Sequence, residues 1–205
     1  PDKFNGTAVF QRRGIPVLTS AQVLKEIPAV HELRKGWFFE RFTPDYPAAE
    51  PRPESFGDKN RTLSVAGLEL KLHVLGAGCS TQHVVVEWQD NVFVGDLVTI
   101  GFHSWLELGQ LEEWLKRIDE IKAMKPKYVR TGRGGSGDSD SLDREEAYLK
   151  DVLRIVKAYR LRSGVELSDK VREKIKADVL AVYPSYDYPL FFEKGLPEIW
   201  KNLSR

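Results

Sequence analysis

The sequence predicts a mixed α/β or α+β fold, organised as a single domain over residues 1–205. Apolar and polar residues alternate between positions 62 and 94, which is the period of β-strands. Beyond position 108 the apolar residues recur every three or four positions, which is the period of amphipathic helices. With 205 residues and an apolar fraction of 41%, the chain is long enough to bury one sizeable core.

The N-terminal part is predicted to hold a strand followed by helical segments. Residues 15–18 form a short apolar run of strand type, and Ser20 stands where the N-cap of a helix over 21–27 belongs. Helical spacing returns over 30–42, although a glycine within it weakens the pattern. Prolines spread over 44–53 then predict a surface loop without regular structure.

Two β-hairpins are predicted next. The first pairs 62–65 with 68–74 and turns at Ala66-Gly67. The second pairs 83–88 with 92–94 and is expected to end at Gly95-Asp96.

Helices dominate the remaining prediction. An amphipathic helix over 108–121 is followed by a short strand at 128–129. The glycine-rich segment 132–137 lacks the Lys-Ser/Thr ending of a P-loop, so a flexible loop is favoured over a phosphate cradle. Further helices are predicted over 141–162, from the N-cap Ser168 to about 182, and over 197–203.

Composition argues against some classes of binding partner but does not decide the cellular compartment. The 31 basic and 30 acidic side chains are interleaved without a basic block, which argues against nucleic acid. No apolar run is long enough to span a bilayer. The single Cys79 cannot form an internal disulfide, so cytoplasm and periplasm are both compatible. Because the sequence starts at Pro1 and its only methionine is Met124, we expect a segment to precede it.

Four short segments, in order, resemble the metal-binding loops of the metallo-β-lactamase superfamily. In that family they are the end of the His-x-His-x-Asp-His motif, the Gly-x-Gly-His-Ser/Thr loop, the Phe-x-Gly-Asp segment and the Pro-Gly-His-Gly loop. The resemblance implies the C-terminal two-thirds or so of an αββα sandwich that lacks its N-terminal strands. In this sequence the segments are Pro1-Asp2-Lys3-Phe4-Asn5-Gly6, Gly76-Ala77-Gly78-Cys79-Ser80, Val94-Gly95-Asp96-Leu97 and Thr131-Gly132-Arg133-Gly134.

Carried over position by position, most zinc ligands of the family are replaced. Asp2 and Asp96 are kept as carboxylates, whereas Lys3, Cys79 and Arg133 stand where the family has histidine. Lysine and arginine are cations that do not bind zinc, and a catalytic zinc needs about three protein ligands. The resemblance therefore implies a remnant site at the two carboxylates and the thiol. We expect the two cations to supply the lost positive charge, with an ion pair between Arg133 and Asp96.

Two functions stay open at this point. The first is a binding or structural module without a cofactor, which has lost zinc-dependent hydrolysis. The second is a hydrolase of esters, thioesters, lactones or lactams, whose single zinc site would be completed by upstream residues. The resemblance implies a small-molecule partner in the cleft. Because the N-terminal strands of the family are missing, we also expect the sheet that contains residues 15–18 to present an open apolar edge and face, which an upstream fragment or second chain would complete.

Further cleft candidates are less specific. His83 begins a predicted strand, and His103 lies in a predicted loop beside Trp105. Each histidine is compatible with a functional part, but packing or hydrogen bonding is the commoner role. An aromatic cluster fits either the core or a lid over a ligand cleft; its members are Trp37, Phe38, Phe39 and Phe42.

Overall fold

The computed structural model describes residues 2–163 and 166–203, apart from the side chains of residues 2 and 161–163. The helices are α1 (Thr7–Gln11), α2 (Ala21–Phe42), α3 (Leu111–Ala123), α4 (Asp140–Ser163), α5 (Asp169–Val182) and α6 (Leu190–Asn202). The strands are β1 (Leu18–Thr19), β2 (Glu54–Ser55), β3 (Arg61–Val65), β4 (Leu68–Leu75), β5 (His83–Trp88), β6 (Asn91–Thr99), β7 (Tyr128–Arg133) and β8 (Ser136–Asp138).

A six-stranded mixed sheet in the order β3-β4-β5-β6-β7-β8 forms the centre of the fold. Its neighbouring strands are antiparallel except for β6 and β7, which are parallel because α3 forms the crossover between them. The short strands β1 and β2 pair with each other in a separate parallel sheet. The mixed α/β class predicted from the sequence is therefore confirmed.

Helices cover one face of the main sheet and form the core with it. Val85, Val92 and Val129 point to this face and are at most 1% exposed. The helices α3 and α4 pack against β6 at this face and bury large side chains such as Trp114 and Tyr148. Burial of these apolar groups is the main favourable contribution to folding.

The opposite face of the main sheet carries exposed apolar side chains. Val65, Leu68 and Phe93 share this face by strand register and are 43–47% exposed. The sequence prediction placed an open apolar surface on the sheet that contains residues 15–18, but β1 is not part of the main sheet. An upstream fragment or second chain that completes the sheet stays a prediction, which intact mass and sedimentation would test.

Helix α2 is longer than predicted because it runs without a break through Pro28. Ser20 caps it as expected, since its hydroxyl accepts a hydrogen bond from the backbone N–H of Val23 at 3.2 Å. Proline removes one backbone donor from the helix, which favours a break at this position. Ile27 and His31 on either side of it are buried, and packing of this face outweighs the local preference.

Both predicted hairpins are confirmed, but β6 extends further than expected. The first hairpin turns at Ala66 and Gly67, which have φ angles of 50° and 78°. The second does not end at Gly95-Asp96. Gly95 has a φ of 57° at a register shift against β7, and the strand continues beyond it to Thr99. Asp96 is consequently held inside a strand rather than at its end.

The glycine-rich segment is ordered as a hairpin and is not the loop that was predicted. Strand β7 extends to Arg133, the chain turns at 134–135, and β8 begins at Ser136. Gly134 has a φ of 85°, and a Cβ atom there would lie 2.2 Å from the carbonyl oxygen of Ile100. The close approach of Gly134 to the backbone of Ile100 requires glycine at this position. The turn places Arg133 at the last position of β7.

The remaining differences concern element ends. The predicted strand over 15–18 is reduced to Leu18–Thr19, and the loop predicted after α2 leads into β2. Helices α3, α4 and α5 match their predicted spans to within a few residues. The last helix starts at Leu190 instead of Pro197, which lies inside it. Among the described residues, no helix combines the length and apolar character that crossing a bilayer would require.

Candidate functional site

A cleft of about 630 Å³ lies between α2 and the edge of the main sheet where β5 begins and β7 ends. Helix α2 contributes an apolar wall to it, and a few polar groups converge on the sheet side. Size and lining are those of a small-molecule binding site. The apolar side chains from α2 are Val23, Ile27, Val30, Leu33 and Phe38.

The cleft brings together most of the residues predicted for the site. The predicted site residue Asp2 has its side chain outside the described residues. Of the aromatic cluster, Phe38 lines the cleft, whereas Trp37 and Phe42 are 45% and 46% exposed. The predicted site residues that line the cleft are Lys3, Cys79, His83, Asp96, Trp105 and Arg133.

Asp96 contacts two cationic side chains in the cleft. Its Oδ2 atom lies 3.2 Å from Nζ of Lys3 and 3.3 Å from Nε of Arg133, so the predicted Arg133–Asp96 pair is present. The Asp96 side chain is 16% exposed, and its Oδ1 atom is buried without a hydrogen-bond partner among the described residues. The backbone of Gly132 packs against this atom, because a Cβ there would lie 2.4 Å from Oδ1.

The donor set of the described residues does not fit a catalytic zinc ion. No group of three or more His, Cys, Asp or Glu side chains in this part of the chain could hold a metal. The ammonium group of Lys3 and the guanidinium group of Arg133 both contact Asp96 where a cation would bind. Two cationic side chains beside the carboxylate oppose a further divalent charge.

Cys79 and His83 form a neutral pair beside Asp96. The Sγ atom of Cys79 lies 3.9 Å from Nε2 of His83, which in turn lies 3.2 Å from the backbone nitrogen of Ser80. Burial, together with the negative charge of Asp96 and Glu145, raises the pKa of the Cys79 thiol. Burial lowers the pKa of His83 to about 4. Since a thiolate and not a thiol is the nucleophile, this pair lacks an activated nucleophile at neutral pH.

His103 lies in the core and not in the cleft, where the sequence had included it. Its side chain is fully buried, and its ring centroid lies 4.9 Å from that of Phe192. The Nδ1 atom lies 3.1 Å from the hydroxyl oxygen of Tyr148. Burial lowers the pKa of His103 to about 4. The packing role that the sequence held open for this residue is therefore the one that the structure shows.

Sequence reasoning missed a buried carboxylate next to the cleft. Glu145 on α4 is 3% exposed and accepts hydrogen bonds from the hydroxyl of Ser104 at 2.6 Å and from the backbone N–H of Thr99 at 3.0 Å. Burial raises its pKa to about 7, although these hydrogen bonds act in the opposite direction. Glu145 lies within the helix predicted over 141–162, and its hydrogen-bond partners are too distant in sequence to form a local motif.

A second missed feature fastens α2 over the cleft. Arg34 donates to Oε2 of Glu107 at 2.6 Å, and the indole N–H of Trp105 donates to the same oxygen at 2.9 Å. The guanidinium carbon of Arg34 lies 4.4 Å from the ring centroid of Trp37 and 5.2 Å from that of Trp105. Cation–π contacts and a charged hydrogen bond thus hold the helix to the segment after β6.

Solved structures with a similar fold include metallo-β-lactamases and a related superfamily protein. A metallo-beta-lactamase from Pontibacter korlensis is 23% identical with a TM-score of 0.55, over 73% of this chain and 65% of that protein. The DIM-1 metallo-beta-lactamase is 18% identical with a TM-score of 0.52, over 71% and 63%. An archaeal metallo-beta-lactamase superfamily protein from Sulfolobus tokodaii is 14% identical with a TM-score of 0.56, over 93% and 73%.

The similarity lies in the structure and not in overall sequence. No protein-family model and no curated protein matches the chain. The chain spans somewhat less than two-thirds of the Pontibacter and DIM-1 proteins. At 23% identity or less, the likeness establishes the fold, and a fold does not determine a reaction. The chain therefore has the fold of the metallo-β-lactamase superfamily, as its sequence motifs predicted.

Proposed function

We propose that this chain is a small-molecule binding module that works without zinc-dependent hydrolysis. The observation that carries the proposal is the contact of Asp96 with both Lys3 and Arg133 at one side of an apolar cleft of about 630 Å³. The two cations contact the carboxylate that the motif resemblance assigns to the metal. The cleft itself keeps the size and the mostly apolar lining of a ligand site.

The exchange of metal for side-chain cations has a physical basis. A partly buried carboxylate without a counter-charge is unfavourable, because desolvation is not offset by an attractive interaction. Lys3 and Arg133 supply that interaction within 3.3 Å of Asp96. The two ion pairs therefore stabilise the charged form of Asp96 without a divalent ion.

Binding is tested with a neutral apolar fluorophore, N-phenyl-1-naphthylamine. We expect saturable binding at one site per chain, because α2 offers an apolar wall. The variant Val30→Trp fills the cleft from α2 and should abolish binding. The neighbouring Ala29→Trp is the matched control, since Ala29 is exposed and does not line the cleft. Equal binding by the two variants would contradict the location of the site.

The metal aspect is tested by elemental analysis after dialysis against zinc. We expect far less than one zinc per chain in the wild type. The single variant Arg133→His should bind zinc weakly, because Lys3 still lies 3.2 Å from Asp96 and repels the ion. About one zinc per wild-type chain, removed by a chelator and restored by added zinc, would contradict the proposal.

A zinc hydrolase is the second candidate, favoured by the presence of Cys79, His83 and Asp96 in one cleft. Additional ligands would then have to come from outside the described residues. Zinc-dependent hydrolysis of an ester or lactam substrate, by this chain or by a longer chain that includes residues upstream of Pro1, would support this candidate. Its loss in Asp96→Asn, with unchanged thermal stability, would assign the activity to this cleft.

A further inference from the structure

Among the described residues, the Arg133 guanidinium makes a hydrogen bond through only one of its three nitrogen atoms. It donates to Asp96 through Nε at 3.3 Å, and its Nη1 and Nη2 atoms make no hydrogen bond within the described residues. The side chain is 33% exposed and lines the cleft. Two parallel N–H donors of a guanidinium match the two oxygens of a carboxylate, sulfonate or phosphate group.

The guanidinium is also held in place, which reduces the entropy lost when a ligand binds. Its carbon atom lies 5.0 Å from the ring centroid of Phe191, and the ring packs edge-on against Trp105 with a centroid distance of 5.1 Å. Arg133 ends strand β7 directly before the tight turn at Gly134. A donor pair preorganised in this way is suited to recognising an anionic group.

The neighbouring groups do not compete for that position. Asp96 shares its Oδ2 atom between Arg133 and Lys3, so this carboxylate does not depend on Arg133 alone. Arg34 and Glu107, which also line the cleft, are paired with each other at 2.6 Å. The remaining acidic side chain among the described residues that line the cleft is Glu26, which lies on α2 and not on the sheet side with Arg133.

We propose that the ligand of this cleft is an amphipathic monoanion, whose oxyanion group binds Nη1 and Nη2 of Arg133 while its apolar body packs against α2. The inference rests on the proposed binding function and adds the chemical class of the ligand. The charge of Arg133 at the end of β7 selects an anionic ligand, and the apolar side chains of α2 supply most of the contact area.

A pair of fluorophores that differ by one sulfonate group tests this inference. Anilinonaphthalene-8-sulfonate carries the same two aromatic groups as N-phenyl-1-naphthylamine plus one sulfonate. We expect the wild type to bind the sulfonate about tenfold more tightly than the neutral compound, because charged hydrogen bonds contribute to binding. Arg133→Gln should remove that preference, because the affinity for the sulfonate should fall about tenfold more than the affinity for the neutral compound. Arg133→Lys should retain part of it.

Arg130→Gln is the matched control, because Arg130 lies on the same strand but bonds to Asn91 and does not line the cleft. It should leave both affinities unchanged, and thermal melts should show that every variant is folded. Equal affinity of the wild type for the two compounds, or a preference that survives Arg133→Gln, would overturn the inference and leave the binding function intact. Failure of the folded wild type to bind either compound would overturn both.

Discussion

The buried carboxyl group of Glu145 should make the stability of the protein fall as pH rises. The residue is buried in the folded chain, and burial raises its pKa to about 7 from the ordinary value of 4.5. Between these pH values the folded state keeps a proton that the unfolded state has lost. The folded state therefore binds more protons than the unfolded state, so the contribution of Glu145 to stability falls as pH rises through this window.

The size of the effect follows from the shift. One pKa unit corresponds to about 1.4 kcal/mol, so ionisation of Glu145 should lower the unfolding free energy by about 3 kcal/mol between pH 4.5 and pH 7. His83 and His103 act in the opposite direction, because burial lowers their pKa values to about 4. Protonation of these histidines in the unfolded chain makes stability rise with pH up to about 6.5.

The contributions of His83 and His103 cancel when the unfolding free energy of the wild type is subtracted from that of Glu145→Gln at the same pH. Glutamine has nearly the same shape as the protonated glutamic acid and does not titrate. We expect Glu145→Gln to resemble the wild type near pH 5 and to exceed its stability by about 3 kcal/mol near pH 8. Urea denaturation at several pH values, followed by tryptophan fluorescence, measures this difference.

Glu146→Gln is the control, because Glu146 is the next residue of α4 and its pKa is lowered by hydrogen bonds to Lys122 and Lys150. Its contribution is present above the unfolded pKa and is lost as pH falls, so the variant should differ from the wild type by a constant amount between about pH 5 and pH 8. A Glu145→Gln difference that is equally flat, or that shrinks as pH rises, would refute the reasoning.

Three further substitutions test the site and the contacts that hold α2 over it. Arg133→Ala should lower the unfolding free energy by about 1 kcal/mol or less, because the side chains of Arg133 and Asp96 are 33% and 16% exposed and water screens their ion pair. A loss above about 3 kcal/mol would contradict this and indicate that water is excluded from the ion pair. Gly132→Ala should lower it by about 1–3 kcal/mol in urea denaturation, since the new Cβ would lie 2.4 Å from Asp96 Oδ1. Arg34→Ala should speed amide exchange in α2 but not in α4, and equal rates would contradict its fastening role.

Local patterns predicted the hairpins because the deciding residues are adjacent in sequence. Ala66 and Gly67 form a tight turn between two period-two segments, which is a short-range signal. The unbroken course of α2 through Pro28 could not be predicted in this way, since it depends on packing of Ile27 and His31. Tertiary contacts outweigh the local preference of proline to break a helix.

The same distinction applies to the site. The Arg133–Asp96 pair was predictable because the two residues follow from the resemblance and lie on parallel neighbouring strands, β6 and β7. Glu145 and Ser104 are 41 residues apart, and Arg34 and Glu107 are 73 apart. No periodicity or motif connects such pairs, so their contacts emerge only once the chain is folded.

The geometry at Arg133 separates a ligand-binding cation from a purely structural one. A structural pair is most stable when the guanidinium meets its carboxylate through two parallel hydrogen bonds. Arg133 instead makes one bond to Asp96 through Nε at 3.3 Å, while Lys3 contacts the same oxygen. The carboxylate thus positions the guanidinium without using its remaining donors. Because Phe191 supports the guanidinium and α2 contributes apolar side chains to the cleft, an anion that binds there exchanges water for fixed donors, which favours a charged head on an apolar body.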